Sequence, residues 1–144
     1  MISIAAAVGH FLALGIGFGG VYARGKHLQN GRLTAALQAD NAWGIAALLW
    51  IISGLMRAFG GLEKGSAYYL SNHFFWLKMT LFGLIFLLEL WPMIRLIQLR
   101  VRKEEQLPPM LMQRFAQISF LQTALLVAIV CCASLMAHGY GMST

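Results

Sequence analysis

The chain is short of charge, of acid and of proline. Only 11% of its 144 residues are Asp, Glu, Lys or Arg, five of them acidic, and three residues are proline. So little charge cannot keep a surface of this size in water, and 59% hydrophobic content is too much to hide inside so small a globule. The chain therefore has to meet lipid. Cysteine is also scarce: Cys131 and Cys132 are adjacent, where neighbouring side chains diverge and a disulfide would be strained, so they read as small apolar packing residues. No internal repeat, low-complexity segment or separate soluble domain is visible, and no aromatic and basic platform lies outside the apolar runs, which argues against nucleic acid as a partner.

What the chain does have is charge-free runs, Ile2–Ala23, Asn41–Met56, Met79–Leu88 and Phe115–His138. The first and last can span a hydrocarbon core of ~30 Å at 1.5 Å per residue. The second reaches membrane length by including Arg57, the third by including Lys78, Glu89 and Arg95. This predicts an all-α integral membrane protein, one transmembrane domain of four helices at about 2–23, 41–59, 73–99 and 114–138, packed as an antiparallel bundle. The first run lacks a basic leader and is longer than a signal core, so it reads as a retained helix.

Basic residues set the orientation. Arg24, Lys26 and Arg32 flank the first connection, and Arg95, Arg100, Arg102, Lys103 and Arg114 surround the third, whereas the second, Gly60–Asn72, offers Lys64 beside Glu63. The first and third connections are therefore expected in the cytoplasm of a bacterial inner membrane, with both termini on the outer, periplasmic side. The net charge of +6 follows from this asymmetry and from anionic lipid at the inner surface. Tyr68 and Tyr69 anchor the outer connection, Pro108 and Pro109 turn the inner one, and Pro92 with Trp91 marks the inner end of the third span.

Glycines at 15, 17, 19 and 20 imitate a dinucleotide fingerprint, but that motif needs a strand before it and a helix starting at the glycines. In the middle of an apolar span they predict close helix packing, along Gly9, Ala13 and Gly17 and along Gly15 and Gly19. Such faces also suit a homo-oligomer or a larger membrane complex.

Ionisable groups within a bilayer cost ~2.5–3.5 kcal/mol at its centre on insertion scales, which makes each one a functional candidate. His10 and Lys78 both fall roughly 8–12 Å below the outer face. Arg57 approaches that face from the second helix, and His73 and His138 lie at the outer ends of the third and fourth. Helical phase puts His10 on one stripe with Ala13, Gly17 and Gly20, puts Lys78 with Phe82, Ile85 and Glu89, and lines Arg57 up with Trp43, Trp50 and Gly54. His73 is rotated roughly 140° from Lys78 at 100° per residue. Each has a plainer alternative: a packing histidine for His10, interfacial roles for His73 and His138, snorkelling for Arg57 and Lys78, and a pair with Arg95 or another cytoplasmic group for Glu89.

An imidazole flanked by cations in a dry bundle suits haem or another porphyrin, with His10 on iron and Arg57 or Lys78 on propionates. The same groups suit a quinone, with Lys78 or His10 donating to a carbonyl. A copper site from His73, His138, Met56, Met136 and Met142 matches no recognised ligand spacing.

The runs Asp40-Asn41-Ala42-Trp43-Gly44, Ser53-Gly54-Leu55-Met56-Arg57 and Glu63 to Asn72 resemble a bacterial membrane family, domain of unknown function 2214, over most of the chain. A shorter similarity, through His10, Gly19-Gly20-Val21-Tyr22 into Arg24, and Trp76-Leu77-Lys78-Met79-Thr80, reaches the HemJ-type protoporphyrinogen oxidases. That second resemblance implies a haem b-binding redox protein in which His10 and Lys78 matter for activity. Were it an oxidase, electrons would leave to a quinone or other membrane carrier, because the sequence offers no flavin or nicotinamide site. The chain departs from it in having Ala23 before Arg24, where that family has proline and arginine, and in its second helix. The reading from a different class is a non-catalytic membrane subunit or scaffold that packs through its glycine faces.

Overall fold

The computed structural model describes residues 2–59 and 73–138, with the side chains of 4–56, 73, 75–135 and 138. The described residues form four helices, α1 (Ile2–Gln29), α2 (Leu33–Phe59), α3 (His73–Val101) and α4 (Pro109–Ala137). Each contains a stretch long and apolar enough to cross a membrane, Ile4–Gln29, Leu33–Met56, Phe75–Val101 and Pro109–Leu135. The outer connection with Tyr68 and Tyr69, and Met142, lie outside the described residues, as do the side chains of Arg57 and Met136.

The helices outrun the apolar segments. α1 continues past Ala23 to Gln29 and α2 begins at Leu33 rather than Asn41, so most of the expected first connection is helical. Its Lys, Arg, Gln, Leu and Ala residues are strong helix formers, and charge alone does not stop a helix at the membrane surface. Gly31 does stop it, at φ 73°, a left-handed conformation that costs glycine little. The Arg32 amide then donates to the His27 carbonyl at 2.8 Å and the Gly31 amide to the Leu28 carbonyl at 3.2 Å, the paired bonds of a Schellman cap. α3 ends the same way, with Glu104 donating to Leu99 at 3.0 Å and Lys103 to Arg100 at 3.2 Å, but here Lys103 holds the left-handed position at φ 55°. α4 opens on Pro109, whose missing N–H has no helical partner to lose in the first turn.

α1 lies closely against α2 and α4, and α3 against α4. Small residues allow the first contact: a methyl added at Gly20 would sit 3.0 Å from the Trp43 nitrogen and 3.3 Å from the Ala39 carbonyl. One at Gly17 would meet Trp43 and Ala46 at 3.4 Å, and Ala13 is buried beside them. The second glycine edge behaves otherwise: Gly15 and Gly19 have nothing within 4 Å of the position a methyl would take among the described residues. Gly9, expected on the first edge with Ala13 and Gly17, likewise meets no described neighbour, which corrects that expectation. All three share the exposed side of α1 with Phe11, Leu12 and Ile16.

Two apolar clusters fill the bundle. One joins Leu28, Ala36, Leu99, Leu107 and Phe115 near the α1–α2 and α3–α4 turns, the other Val21, Trp43, Ile85, Leu126 and Ile129 farther along. Between them, on all four helices, lies a layer of polar side chains.

Candidate functional site

That layer is organised by Arg24, whose side chain is fully buried. It continues the α1 stripe of Ala13, Gly17 and Gly20 into the bundle. Nε donates to Ser119 Oγ at 2.9 Å, Nη1 to Asp40 Oδ1 at 2.7 Å and Glu89 Oε1 at 2.8 Å, and Nη2 to Glu89 Oε2 at 3.0 Å and Gln122 Oε1 at 2.7 Å. A guanidinium has five N–H donors, and all five are used. The acceptors come from α2, α3 and α4, so one side chain of α1 fastens the whole bundle.

The partners are held in turn. Gln122 Nε2 donates to the Ile85 carbonyl at 3.1 Å and to Glu89 Oε2 at 3.0 Å, and the Ser119 hydroxyl donates to the Phe115 carbonyl at 2.8 Å. Arg100 Nη2 reaches from α3 to Asp40 Oδ2 at 3.2 Å, Asn41 Oδ1 at 2.9 Å and the Leu37 carbonyl at 3.1 Å. Two guanidinium groups thus face two carboxylates, which leaves the cluster neutral and Arg24 without a donor for any ligand. The chemistry is that of a lock.

This corrects two expectations. Glu89 does not turn to Arg95; it takes a bidentate grip from Arg24, while Arg95 pairs with Glu104 at 3.0 Å. Arg24, counted among the cytoplasmic loop charges, is a paired interior residue. Lys26, Arg32, Arg102, Lys103 and Arg114 remain exposed at the turn end.

The other half of the bundle, toward the chain termini, holds the expected site residues. His10 Nδ1 is 2.9 Å from Ser53 Oγ, whose hydroxyl also lies 3.2 Å from the Trp50 carbonyl. The imidazole stacks on the Trp50 indole at 5.4 Å and 24° between planes, and its Cε1 lies against Gly54, 3.3 Å from where a methyl would be. Trp50 leans in turn on Phe82 of α3 at 5.6 Å. Lys78 sits one turn from Phe82 toward the termini, with Nζ 5.6 Å from the centroid of the buried Phe75 ring. An aromatic line therefore runs from His10 through Trp50 to Phe82, with Lys78 one turn beyond. Arg57 follows Ser53 and Gly54 on α2, its side chain outside the described residues.

His73 and His138 are exposed at helix ends, and His138 Nδ1 bonds back to the Ser134 carbonyl at 2.8 Å. Neither is brought to His10. Among the described residues, no three His, Cys, Asp or Glu side chains converge as a metal centre would need. Cys131 and Cys132 are free thiols.

α2 and α3 meet mainly through side chains, Arg100 on Asp40 and Asn41 at the turn end and Trp50 on Phe82 at the other. Along the α1–α2 seam a notch of about 10 Å³ opens between Ala13, Gly17, Ala46 and Trp50. Trp50 Nε1 is buried without a hydrogen-bond partner among the described residues.

The network of Arg24, Asp40, Ser119 and Gln122 escaped sequence reasoning, although a signal was there. Positions 10, 13, 17, 20 and 24 keep one helical stripe, so a His10 that faces inward takes Arg24 with it. A lone mid-membrane carboxylate at Glu89 also called for a buried cation.

A family model described as "Predicted membrane protein (DUF2214)" matches residues 2–141, and the chain belongs to that family. No curated protein and no solved structure matches it.

Proposed function

From membership of this membrane family and from the setting of His10, we propose that the protein holds haem, or a related porphyrin, and works as a redox protein in a bacterial inner membrane. One observation carries the reading: the hydroxyl of Ser53 engages His10 Nδ1 within the membrane. A ligating histidine typically has one ring nitrogen held by an oxygen, which fixes ring orientation and tautomer while the other nitrogen takes the metal. In this reading His10 would take the iron, and Arg57 and Lys78 would pair with the propionates. Haem supplies one-electron chemistry when bound. The chain's own residues orient the imidazole, through Ser53 and Trp50. A notch of about 10 Å³ takes no ring, so entry requires α2 and α3 to part where Trp50 meets Phe82. The shorter likeness to HemJ-type oxidases points the same way through His10 and Lys78.

The test is a visible spectrum of purified protein. A Soret band lost in His10→Ala is the expected result; a colourless protein that cannot be reconstituted with haem overturns the reading. Porphyrinogen oxidation has its own assay, in which the gene restores haem synthesis to cells lacking their oxidase and Lys78→Ala does not.

A second reading, a non-catalytic membrane subunit, draws on Gly15 and Gly19, which meet nothing among the described residues. Small residues spaced by four on a lipid-facing helix let a partner helix approach closely. Crosslinking that falls in Gly15→Leu and Gly19→Leu while the bundle stays folded would favour it. For orientation we propose both termini on the periplasmic side, supported by the exposed basic residues at the turn end. A C-terminal alkaline phosphatase fusion is then active, and an inactive one reverses the assignment.

A further inference from the structure

We infer that Trp50 marks a binding place for a lipid-soluble quinone, its indole N–H donating to a ring carbonyl of the ligand. This goes beyond the haem reading and does not rest on it. The indole nitrogen can only donate, and it is buried with no acceptor among the described residues. Buried donors are satisfied in the great majority of native structures, by protein, water or ligand, so this one calls for an acceptor.

The surroundings say what kind. Trp50 lies between His10, stacked at 5.4 Å, and Phe82, tilted at 5.6 Å, so the neighbours of a ligand there are ring faces and edges. Such neighbours favour a flat molecule. The site lies on the side of the bundle that α2 and α3 close by side chains. On those helices Leu49 and Ile52, beside Trp50, and Phe86, one turn from Phe82, lie exposed on the outer surface of the bundle. Access is therefore lateral, from lipid, and the ligand needs an apolar body. A ring with carbonyl acceptors on an apolar body is a quinone.

Water is the competing occupant. The adjoining notch has about the room of one molecule, about 10 Å³, but its lining by Ala13, Gly17, Ala46 and Leu126 offers apolar side chains around Trp50. A buried water is held by two to four polar partners.

The experiment uses the whole protein in lipid nanodiscs, ¹⁵N-labelled at tryptophan and titrated with a short-tailed ubiquinone. One indole resonance, identified by its absence in Trp50→Phe, is expected to move downfield and saturate. A carbonyl-free aromatic with the same tail is expected to leave it in place. Trp50→Phe keeps a ring in the stack and should bind the quinone roughly tenfold more weakly, the equivalent of ~1.4 kcal/mol. The inference fails if the resonance ignores the quinone, if the carbonyl-free analogue moves it equally, or if Trp50→Phe binds as tightly as the native protein. Should Trp50→Phe not fold, Trp43→Phe, Trp76→Phe and Trp91→Phe identify the other three indole resonances and leave that of Trp50 by elimination, and the comparison of the two ligands on native protein still decides. The Soret region, recorded on the same samples, reports haem separately, so the failure of either reading is distinguishable from that of the other.

Discussion

Arg24→Leu is the most informative single change to the bundle. It removes five hydrogen bonds at once and leaves Glu89 with Gln122 and Asp40 with Arg100, both carboxylates largely buried. Hydrogen bonds between membrane helices couple by only about 0.6 kcal/mol on average, so five of them come to about 3 kcal/mol. A carboxylate left without its buried partner raises the loss to about 3–5 kcal/mol. Arg24→Lys keeps the charge but offers three donors in place of the planar five, so at least two of the five bonds are lost, at about 1.5–3 kcal/mol. Arg24→Leu combined with Glu89→Leu removes both charges and should cost less than Arg24→Leu alone. Stability would be read by steric trapping in bicelles. If Arg24→Leu falls within about 1 kcal/mol of native protein, below even the hydrogen-bond share, or if the double variant is the worse of the two, the cluster is not a lock.

Four further outcomes follow from local geometry. Lys103→Gly relieves a side chain at φ 55° and should stabilise the protein by about 0.5–1 kcal/mol, whereas Lys103→Val should destabilise it, in the same unfolding assay. Gly20→Ala forces a methyl to 3.0 Å from the Trp43 nitrogen and should cost about 1–3 kcal/mol, while Gly15→Ala meets nothing among the described residues and should leave monomer stability unchanged or slightly higher. Arg95→Ala breaks a half-exposed pair with Glu104 and should change stability by less than about 1 kcal/mol. Ser53→Ala takes the oxygen from His10 Nδ1; a haem-loaded protein should then show weaker haem retention on dilution than native protein, while His73→Ala and His138→Ala, at exposed positions, should not.

The spans were legible because charge-free runs of membrane length leave a chain few alternatives. Their ends were not, since the charges of residues 24–40 suggest a connection while their helix propensity extends α1 and α2, and the deciding signal is a single glycine, Gly31. The inward phase of His10 could be read from Ala13, Gly17 and Gly20, yet its partners could not. Ser53 is 43 positions away in the chain and carries no charge to advertise itself. Arg24 was misread for a different reason. Counting basic residues treats every Arg near a span end as a loop charge, and only phase, carried one turn past Gly20, turns this one inward.

The two halves of the bundle use different chemistry, and the difference bears on where function can sit. At the turn end, Arg24 and Arg100 fasten α2 and α3 to the rest with charge-assisted bonds, each acceptor in a fixed place. A ligand there would have to displace a satisfied network, whose remaining members would then be buried and unpaired. At the other half, the described contacts between α2 and α3 include Trp50 on Phe82, ring against ring, and the Trp50 indole N–H has no acceptor among the described residues. Rings can part at the cost of their own contact, without breaking a network of charge-assisted bonds like that around Arg24. A bundle clamped at one end and closed by aromatic contact at the other would open at the second. His10, Lys78 and Trp50 all lie in that half, so a ligand arriving from lipid would meet the groups able to ligate, pair and donate while the Arg24 network keeps the four helices in register.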